Sequence, residues 1–169
     1  MRARRLRPER PWLEHARLYR DLFGDPAVSA ALWPGQPIDP AGDRRALDTL
    51  AGDIDHWQQR SFGPWVFFES ATGMFVGRGG LRSSTVAGRE CVEVLYAVRS
   101  DAWGRGYATD MAVLALEHAR RLRLAEVVGL TVVGNRASRR VLEKAGMRLE
   151  ERIEHAGLPH LLGYLRSVL

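Results

Sequence analysis

The stretch Trp103-Gly104-Arg105-Gly106-Tyr107-Ala108-Thr109 is the part of this chain that decides how its fold is interpreted. It lies between an apolar run at 92–98 and a long amphipathic segment that starts at Tyr107. This order predicts a strand, a short turn and a helix. Such a turn directs main-chain N–H groups and a helix N-terminus to one place, where phosphates bind well. Gly104 and Gly106 let a ligand approach the main chain closely, and Arg105 adds donors that suit phosphate oxygens.

Taken alone, two glycines between a strand and a helix are also typical of a plain tight turn. The stretch is not a Walker loop, because no Gly-Lys-Ser/Thr follows it. It is not a dinucleotide-binding fingerprint either, because the third glycine of that pattern falls on Thr109 or Asp110. The loop therefore indicates an anion site without identifying the anion.

Length and composition favour one globular domain in a reducing compartment. The chain has 169 residues, of which 46% are hydrophobic, and Cys91 is its one cysteine, so no internal disulfide forms. The arginine-rich N-terminus is not followed by an apolar segment, and no apolar run approaches the roughly 20 residues that span a bilayer. We expect a cytoplasmic protein with no membrane partner.

The net charge of +5 raises the question of a nucleic-acid partner. Lys144 is the one lysine, and the arginines are spread along the chain rather than gathered with aromatic residues. We therefore expect no nucleic-acid partner. A nucleic-acid-binding domain stays an alternative, for which salt-dependent binding of DNA or RNA is the test.

Hydrophobic periodicity predicts an α/β domain without repeats. The predicted helices span 11–23, 27–32, 43–59, 107–122 and 135–145, and the predicted strands span 5–7, 65–69, 74–81, 91–98, 127–133, 147–154 and 161–168. In the third helix, Leu47, Leu50, Ile54 and Trp57 form the predicted apolar stripe. Asn135 is the predicted cap of the last helix, which ends before Gly146.

Three segments in fixed order resemble the GNAT superfamily of acyl-CoA-dependent N-acyltransferases, and in particular its RimJ/RimL-type branch. They are the loop at 103–109, Asn135-Arg136-Ala137-Ser138, and Glu143-Lys144-Ala145-Gly146-Met147. The resemblance covers residues 65–168 well and the N-terminal helices loosely. It implies a mixed, mostly antiparallel central sheet with a splayed strand pair and flanking helices. It also implies one acyltransferase domain over 1–169, with a helical acceptor-side part at 1–62 and a coenzyme-binding sheet at 63–169.

The resemblance implies that acetyl-CoA is the cosubstrate. The pantetheine arm is then expected to bond to main-chain groups of Tyr96 and Val98, as an added strand does. The diphosphate is expected on the amides of Gly104, Arg105, Gly106, Tyr107 and Ala108, with the hydroxyl of Thr109 beside it. Asn135 is expected both to cap its helix and to contact the pantetheine.

Acetyl transfer to an amine needs a base for the amine and a partner for the departing thiolate. Glu93 is the candidate base, acting through water, and partial burial is expected to raise its pKa. An ordinary solvent-facing role for Glu93 is the alternative, and Glu90 is the competing carboxylate. Ser138, near the positive end of its helix, is the candidate for meeting the thiolate and a second cofactor contact; a local helix-start bond is its simpler interpretation.

The acceptor is predicted to be a primary amine. The RimJ/RimL likeness makes a protein N-terminal α-amine a natural choice, but small amines, antibiotics and amino acids are acceptors in the same branch. A non-catalytic acyl-CoA-binding module is the alternative from another class. We predict no metal site, since His155 and His160 lack a third ligand. Dimers are common in the family, and the sequence leaves the oligomeric state and the permitted acyl length open.

Overall fold

Seven strands form one sheet in the computed structural model, which describes residues 5–37 and 43–166. The strands are β1 (Leu6–Glu9), β2 (Pro64–Glu69), β3 (Phe75–Val86), β4 (Arg89–Val98), β5 (Glu126–Val132), β6 (Arg148–His155) and β7 (Leu158–Arg166). The helices are α1 (Ala16–Gly24), α2 (Pro26–Leu32), α3 (Asp43–Arg60), α4 (Tyr107–Arg121) and α5 (Arg136–Lys144). The strand order is β1-β2-β3-β4-β5-β7-β6.

The sheet is mixed and mostly antiparallel, which confirms the predicted fold class. β1 pairs antiparallel with β2, and β7 pairs antiparallel with both β5 and β6. β4 and β5 are parallel, and α4 is the crossover that a parallel pair requires. Within the described residues their register comprises Glu93 with Val128 and Val94 with Gly129, whereas the pairing of β5 with β7 continues to Val132. The parallel pair is therefore short.

Two predicted strands are longer than expected, because the turns beside them are tighter. β3 continues to Val86 instead of ending at Leu81, and β7 begins at Leu158 instead of Leu161. Each adjoining hairpin turn is an Ala-Gly pair with positive φ at both residues, 48° and 74° at 87–88 and 50° and 76° at 156–157. This geometry is that of a type I′ turn, which joins two strands through two residues. The predicted first helix is also shorter, since a 3-10 turn at Leu13–His15 precedes α1.

The chain forms two compact units, each of which has its own apolar cluster. The first unit comprises Met1–Gly79 with Tyr96–Tyr107, and the second comprises Gly80–Leu95 with Ala108–Leu169. In the first unit, α1 and α3 pack with strand residues around Tyr19, Leu22 and Leu50. In the second unit, Val128 and Leu162 belong to a cluster carried by the sheet. The predicted division at residue 62 stays a prediction.

A buried polar network lies in the core of the first unit. The Tyr19 hydroxyl donates to Asp53 Oδ2 at 2.7 Å, and Arg78 donates from Nε to Oδ2 at 2.5 Å and from a terminal nitrogen to Oδ1 at 2.6 Å. Asp53 is fully buried and the Arg78 side chain is 8% exposed. Asp53 lies on the buried face of α3, while Leu47 of the predicted stripe is exposed. The buried face of α3 is thus rotated relative to the predicted one.

Candidate functional site

The loop between β4 and α4 is exposed and carries two glycines just before a helix N-terminus, an arrangement typical of anion sites. A 3-10 turn at Ser100–Ala102 follows β4, and α4 begins at Tyr107. Gly104 and Gly106 have φ values of 77° and 81°, in a region that L-amino acids rarely adopt. Both glycines and Arg105 are exposed. Because the first four N–H groups of a helix have no intrahelical acceptor, this exposed loop leads directly to main-chain donors and a positive helix end.

The indole of Trp103 connects this loop to the end of β4. Its Nε1 donates to the carbonyl of Val98 at 2.8 Å, while 48% of the residue stays exposed. A carbonyl oxygen has two lone pairs, so Val98 keeps a second acceptor position. Tyr96 is half-buried two residues earlier on β4. The structure therefore places Tyr96, Val98 and the loop in one unit, and their contacts with pantetheine remain predictions.

Hydrogen bonds connect the loop and the start of α4 to Arg5, to the end of β2 and to the turn that follows β2. We call Arg5, Glu69, Thr72, Arg105 and Tyr107 the loop-supporting cluster. The buried Tyr107 donates its hydroxyl to Glu69 Oε1, and Thr72 donates to Oε2 at 2.7 Å. These two hydrogen bonds, followed by the charges of Arg105 and Arg5, lower the pKa of Glu69. The ionised form of Glu69 is therefore favoured, and this carboxylate accepts a hydrogen bond from Tyr107, the first residue of α4.

A second support reaches the loop from α2. The carboxylate of Asp25 caps α2, accepting from the amides of Ala27 at 2.9 Å and Val28 at 3.4 Å, and it also accepts from the Ser100 hydroxyl. Partial desolvation opposes ionisation of Asp25, but these hydrogen bonds outweigh it and lower the pKa of the carboxyl group. The 3-10 turn before the loop is thus tied to a capped helix within the same unit.

The candidate base Glu93 is half-buried on β4 in the second unit. Cys91 lies two residues earlier, so the two side chains share a face of the strand. The pKa of the Cys91 thiol is raised by burial and, next, by the negative charge of Glu93. Glu90, three residues before Glu93, is exposed and belongs to the opposite face. Glu90 and Glu93, the two alternatives for the base, therefore lie on opposite faces of the sheet.

Asn135 and Ser138 meet at the start of α5. The Ser138 amide donates to Asn135 Oδ1 at 3.0 Å, which confirms Asn135 as the helix cap. Ser138 is half-buried in the first turn, where the helix dipole is positive. Because the cap uses Oδ1, the side-chain NH₂ of Asn135 is the group that suits a ligand carbonyl. Ala108 and Thr109 are half-buried in the first turn of α4.

The two histidines at the β6–β7 turn form a ring contact. The rings of His155 and His160 are 5.4 Å apart between centroids, and His160 Nδ1 lies 2.9 Å from the carbonyl oxygen of Leu158. Across residues 5–37 and 43–166, no three histidine, cysteine or carboxylate side chains form a group that could hold a metal ion. Among the helices that the structure describes, none has both the length and the apolar character to cross a bilayer.

Sequence reasoning missed the residues that support the loop. Arg5 and Arg105 are 100 positions apart, and no local pattern indicates their contact. Glu69 and Thr72 lie at the end of β2 and in the turn after it, and nothing in the local sequence indicates that they contact α4. For the buried network a signal existed, because Asp53 follows Leu50 by three and precedes Trp57 by four residues and so occupies a core position of α3.

Comparisons with known proteins identify the family. The family model described as Acetyltransferase (GNAT) domain matches residues 5–148. An uncharacterized protein of Bacillus subtilis strain 168, YkkB, is 30% identical over 110 residues, which span 62% of this chain and 64% of that protein.

Two solved structures have the same fold. An acetyltransferase from Agrobacterium tumefaciens strain C58 is 22% identical, with a TM-score of 0.80 over 99% of this chain and 94% of its own. Mycobacterium smegmatis RimJ, in complex with CoA-disulfide, is 21% identical, with a TM-score of 0.75 over 96% of this chain and 81% of its own. Together with the family-model match over most of its length, these likenesses show that this chain belongs to the GNAT acetyltransferases, a family of acetyl-CoA-dependent acyltransferases.

Proposed function

We propose that this chain transfers the acetyl group of acetyl-CoA directly to a primary amine, with a protein N-terminal α-amine as the acceptor. The observation that carries the proposal is the exposed loop before α4, where positive φ values at Gly104 and Gly106 lead into the helix N-terminus. Membership in the GNAT family supplies the reaction type. The similarity to RimJ and the resemblance to the RimJ/RimL-type branch favour the acceptor.

The loop fits a diphosphate. Exposed main-chain donors at Gly104–Ala108 match its oxygens, and the exposed Arg105 adds a charge with a fork of N–H donors. The Thr109 hydroxyl is one residue further along the first turn of α4. A CoA-disulfide bound in the related RimJ structure is consistent with this assignment. We assign these residues to the diphosphate of acetyl-CoA.

The pantetheine arm is assigned to main-chain groups and one amide side chain. Tyr96 and Val98 lie at the end of β4, and main-chain groups there offer the pairing of an added strand. The NH₂ group of Asn135 suits one of the amide carbonyls of the arm, since its oxygen already caps α5. These contacts orient the thioester for direct attack by the amine. No covalent enzyme intermediate is formed.

Glu93 and Ser138 are assigned to the proton and the sulfur. Glu93 accepts, through a water molecule, the proton that the amine loses before nitrogen attacks the thioester carbon. When the carbon–sulfur bond breaks, Ser138 donates a hydrogen bond to the sulfur that leaves, aided by the positive end of α5. Acetyl-CoA supplies the activated acyl group. The attacking nitrogen loses its remaining excess proton through water to the departing thiolate, so the products are an amide and free CoA.

An α-amine suits a single carboxylate base better than a lysine side chain does. The pKa of an α-amino group is near 8 and that of lysine near 10.4, so a lysine acceptor requires about 3 kcal/mol more for deprotonation at neutral pH. Glu93 is half-buried and is assigned to act through water, so an α-amine asks less of it than a lysine does. This difference is a second argument for an α-amine acceptor, beside the similarity to RimJ.

A thiol-release assay with acetyl-CoA tests the proposal. We compare two peptides of one sequence, one with a free N-terminus and no lysine, the other with a blocked N-terminus and one lysine; polyamines and aminoglycosides complete the panel. We expect CoA release with the free N-terminus. CoA release with a small amine alone would refute the α-amine acceptor and identify that amine class as the acceptor. No CoA release with any amine would overturn the proposed reaction.

Glu93→Gln tests the base, with Glu90→Gln as the matched control. Loss of a general base lowers the rate about 100-fold or more near pH 7. The deficit should shrink toward pH 9, because a growing fraction of the amine is then already deprotonated. Glu90→Gln should change kcat/KM less than about twofold, since its side chain faces the other side of the sheet. Equal activity of wild type and Glu93→Gln at all pH values would refute the assignment.

A further inference from the structure

Arg5 contacts the backbone of the loop between β4 and α4. A terminal nitrogen of its guanidinium donates to the carbonyl of Arg105 at 3.0 Å, and its Cζ lies 4.7 Å from the centroid of the Tyr107 ring. The other terminal nitrogen lies 3.9 Å from the position that a Cβ on Gly106 would take. One side chain therefore contacts Arg105 and Tyr107 and lies beside Gly106 between them.

The position of Arg5 is itself fixed at several points. Its own carbonyl accepts from the amide of Ser70 at 2.8 Å, at the end of β2. The ring on which its guanidinium stacks belongs to Tyr107, which is buried and bonded through its hydroxyl to Glu69. The backbone of Arg5 is thus held by Ser70, and its guanidinium is stacked on a ring that is itself fixed. Such a guanidinium loses little further freedom when it holds a carbonyl in one orientation.

The orientation of one peptide group follows from this contact. In a trans peptide the C=O and the following N–H point in opposite directions. Because Arg5 holds the carbonyl of Arg105, the N–H of Gly106 points away from Arg5. Glycine has no Cβ and so has more backbone conformations available than other residues, and Gly106 occupies one of the additional ones, with φ at +81°. A hydrogen bond that holds the preceding carbonyl therefore restricts a peptide group that would otherwise be free to rotate.

We infer that Arg5 is a positioning residue, which orients the Gly106 amide toward the diphosphate of the acyl donor without touching the donor itself. The inference rests on the proposed function, because it takes the loop as the diphosphate site. It adds a residue outside the loop, 100 positions away from it in sequence, to the determinants of donor affinity.

Calorimetry with CoA, and displacement of CoA by pantetheine, separates this role from a general structural one. Pantetheine retains the arm and the thiol but lacks the diphosphate. The variant is Arg5→Met, which keeps the length of the stem and removes the donors. The matched control is Arg7→Met, since Arg7 also stacks on an aromatic ring, that of Phe68 at 5.1 Å, and carries the same charge two residues away.

We expect Arg5→Met to weaken CoA binding about tenfold, because the Gly106 amide would no longer be held toward the diphosphate and one hydrogen bond to it would be lost. Affinity for pantetheine should change less than about twofold, and Arg7→Met should leave both affinities within about twofold. Arg5→Lys, which keeps one donor, should recover part of the loss. The exposed position of Arg5 favours a folded variant, and equal thermal midpoints check this.

The outcomes distinguish the inference from the proposed function. If wild type binds CoA and Arg5→Met binds it equally well, the inference fails and the proposed function stands. An equal loss of affinity for CoA and pantetheine, or an equal loss in Arg7→Met, also overturns the inference, because it indicates a general effect of structure or charge. If wild type binds no CoA, the proposed function fails and the inference with it.

Discussion

Replacing Asp53 with asparagine should strongly destabilise the first unit. The substitution keeps the shape of the side chain but removes its charge, so Arg78 remains buried without its counter-ion. Removing one partner of a buried ion pair costs about 3–5 kcal/mol. Since natural domains have a free energy of unfolding of about 5–15 kcal/mol, this is a large fraction of the total. For a chain of this size, the corresponding fall in Tm is about 6–20 °C.

Urea unfolding followed by tryptophan fluorescence measures this free energy. Asp21→Asn is the matched control, because Asp21 pairs with Arg17 across one turn of α1, and both side chains are exposed. The control should change the free energy of unfolding by less than about 0.5 kcal/mol. Adding Arg78→Met to Asp53→Asn should recover part of the loss, because the unpaired charge is then gone. A loss in Asp53→Asn no larger than in the control would refute the reasoning.

Three further predictions concern the same unit. Burial, and next the charge of Asp53, raises the pKa of Tyr19 above its ordinary value; stability from this group is therefore complete below about pH 10 and falls as the pH rises further, and Tyr19→Phe should remove that part of the fall in alkaline unfolding curves. Gly77→Ala should lower the free energy of unfolding by about 3 kcal/mol or more, since its Cβ would lie 2.0 Å from the carbonyl oxygen of Ala97; an unchanged denaturation midpoint would contradict this packing. At Gly104 an added Cβ would meet no atoms within 4 Å, so Gly104→Ala should cost only the strain of a φ of +77°, about 1–2 kcal/mol; a larger loss measured in urea would contradict this open environment.

The elements could be predicted where local chemistry determines them. The strand–loop–helix order around Gly104 and the cap at Asn135 depend on residues within a few positions of each other, and the structure has both. The ends of β3 and β7 could not be predicted as well, because alanine at the first position of a type I′ turn is not the residue that this turn favours. Short-range signals thus gave the elements but not all of their limits.

The burial pattern of α3 and the support of the loop could not be predicted for a different reason. Asp53 occupies a core position because Arg78 neutralises it, and this partner lies 25 residues away on a strand. Without knowledge of that partner, the helical periodicity predicts that Asp53 is exposed and that Leu47 is buried, whereas the structure has the reverse. In the same way, Arg5, which precedes the paired strand β1, contacts Arg105 across 100 positions of sequence. Contacts between distant segments require the folded structure.

The most direct test of the proposed site is an NMR titration of glycine amides. The protein is labelled with ¹⁵N-glycine, and the signals of Gly104 and Gly106 are assigned through their alanine variants. We expect CoA to shift both amide protons downfield, as hydrogen bonds to phosphate do, and pantetheine to leave them in place. Saturation with CoA without a shift of either signal would contradict a diphosphate held by this loop.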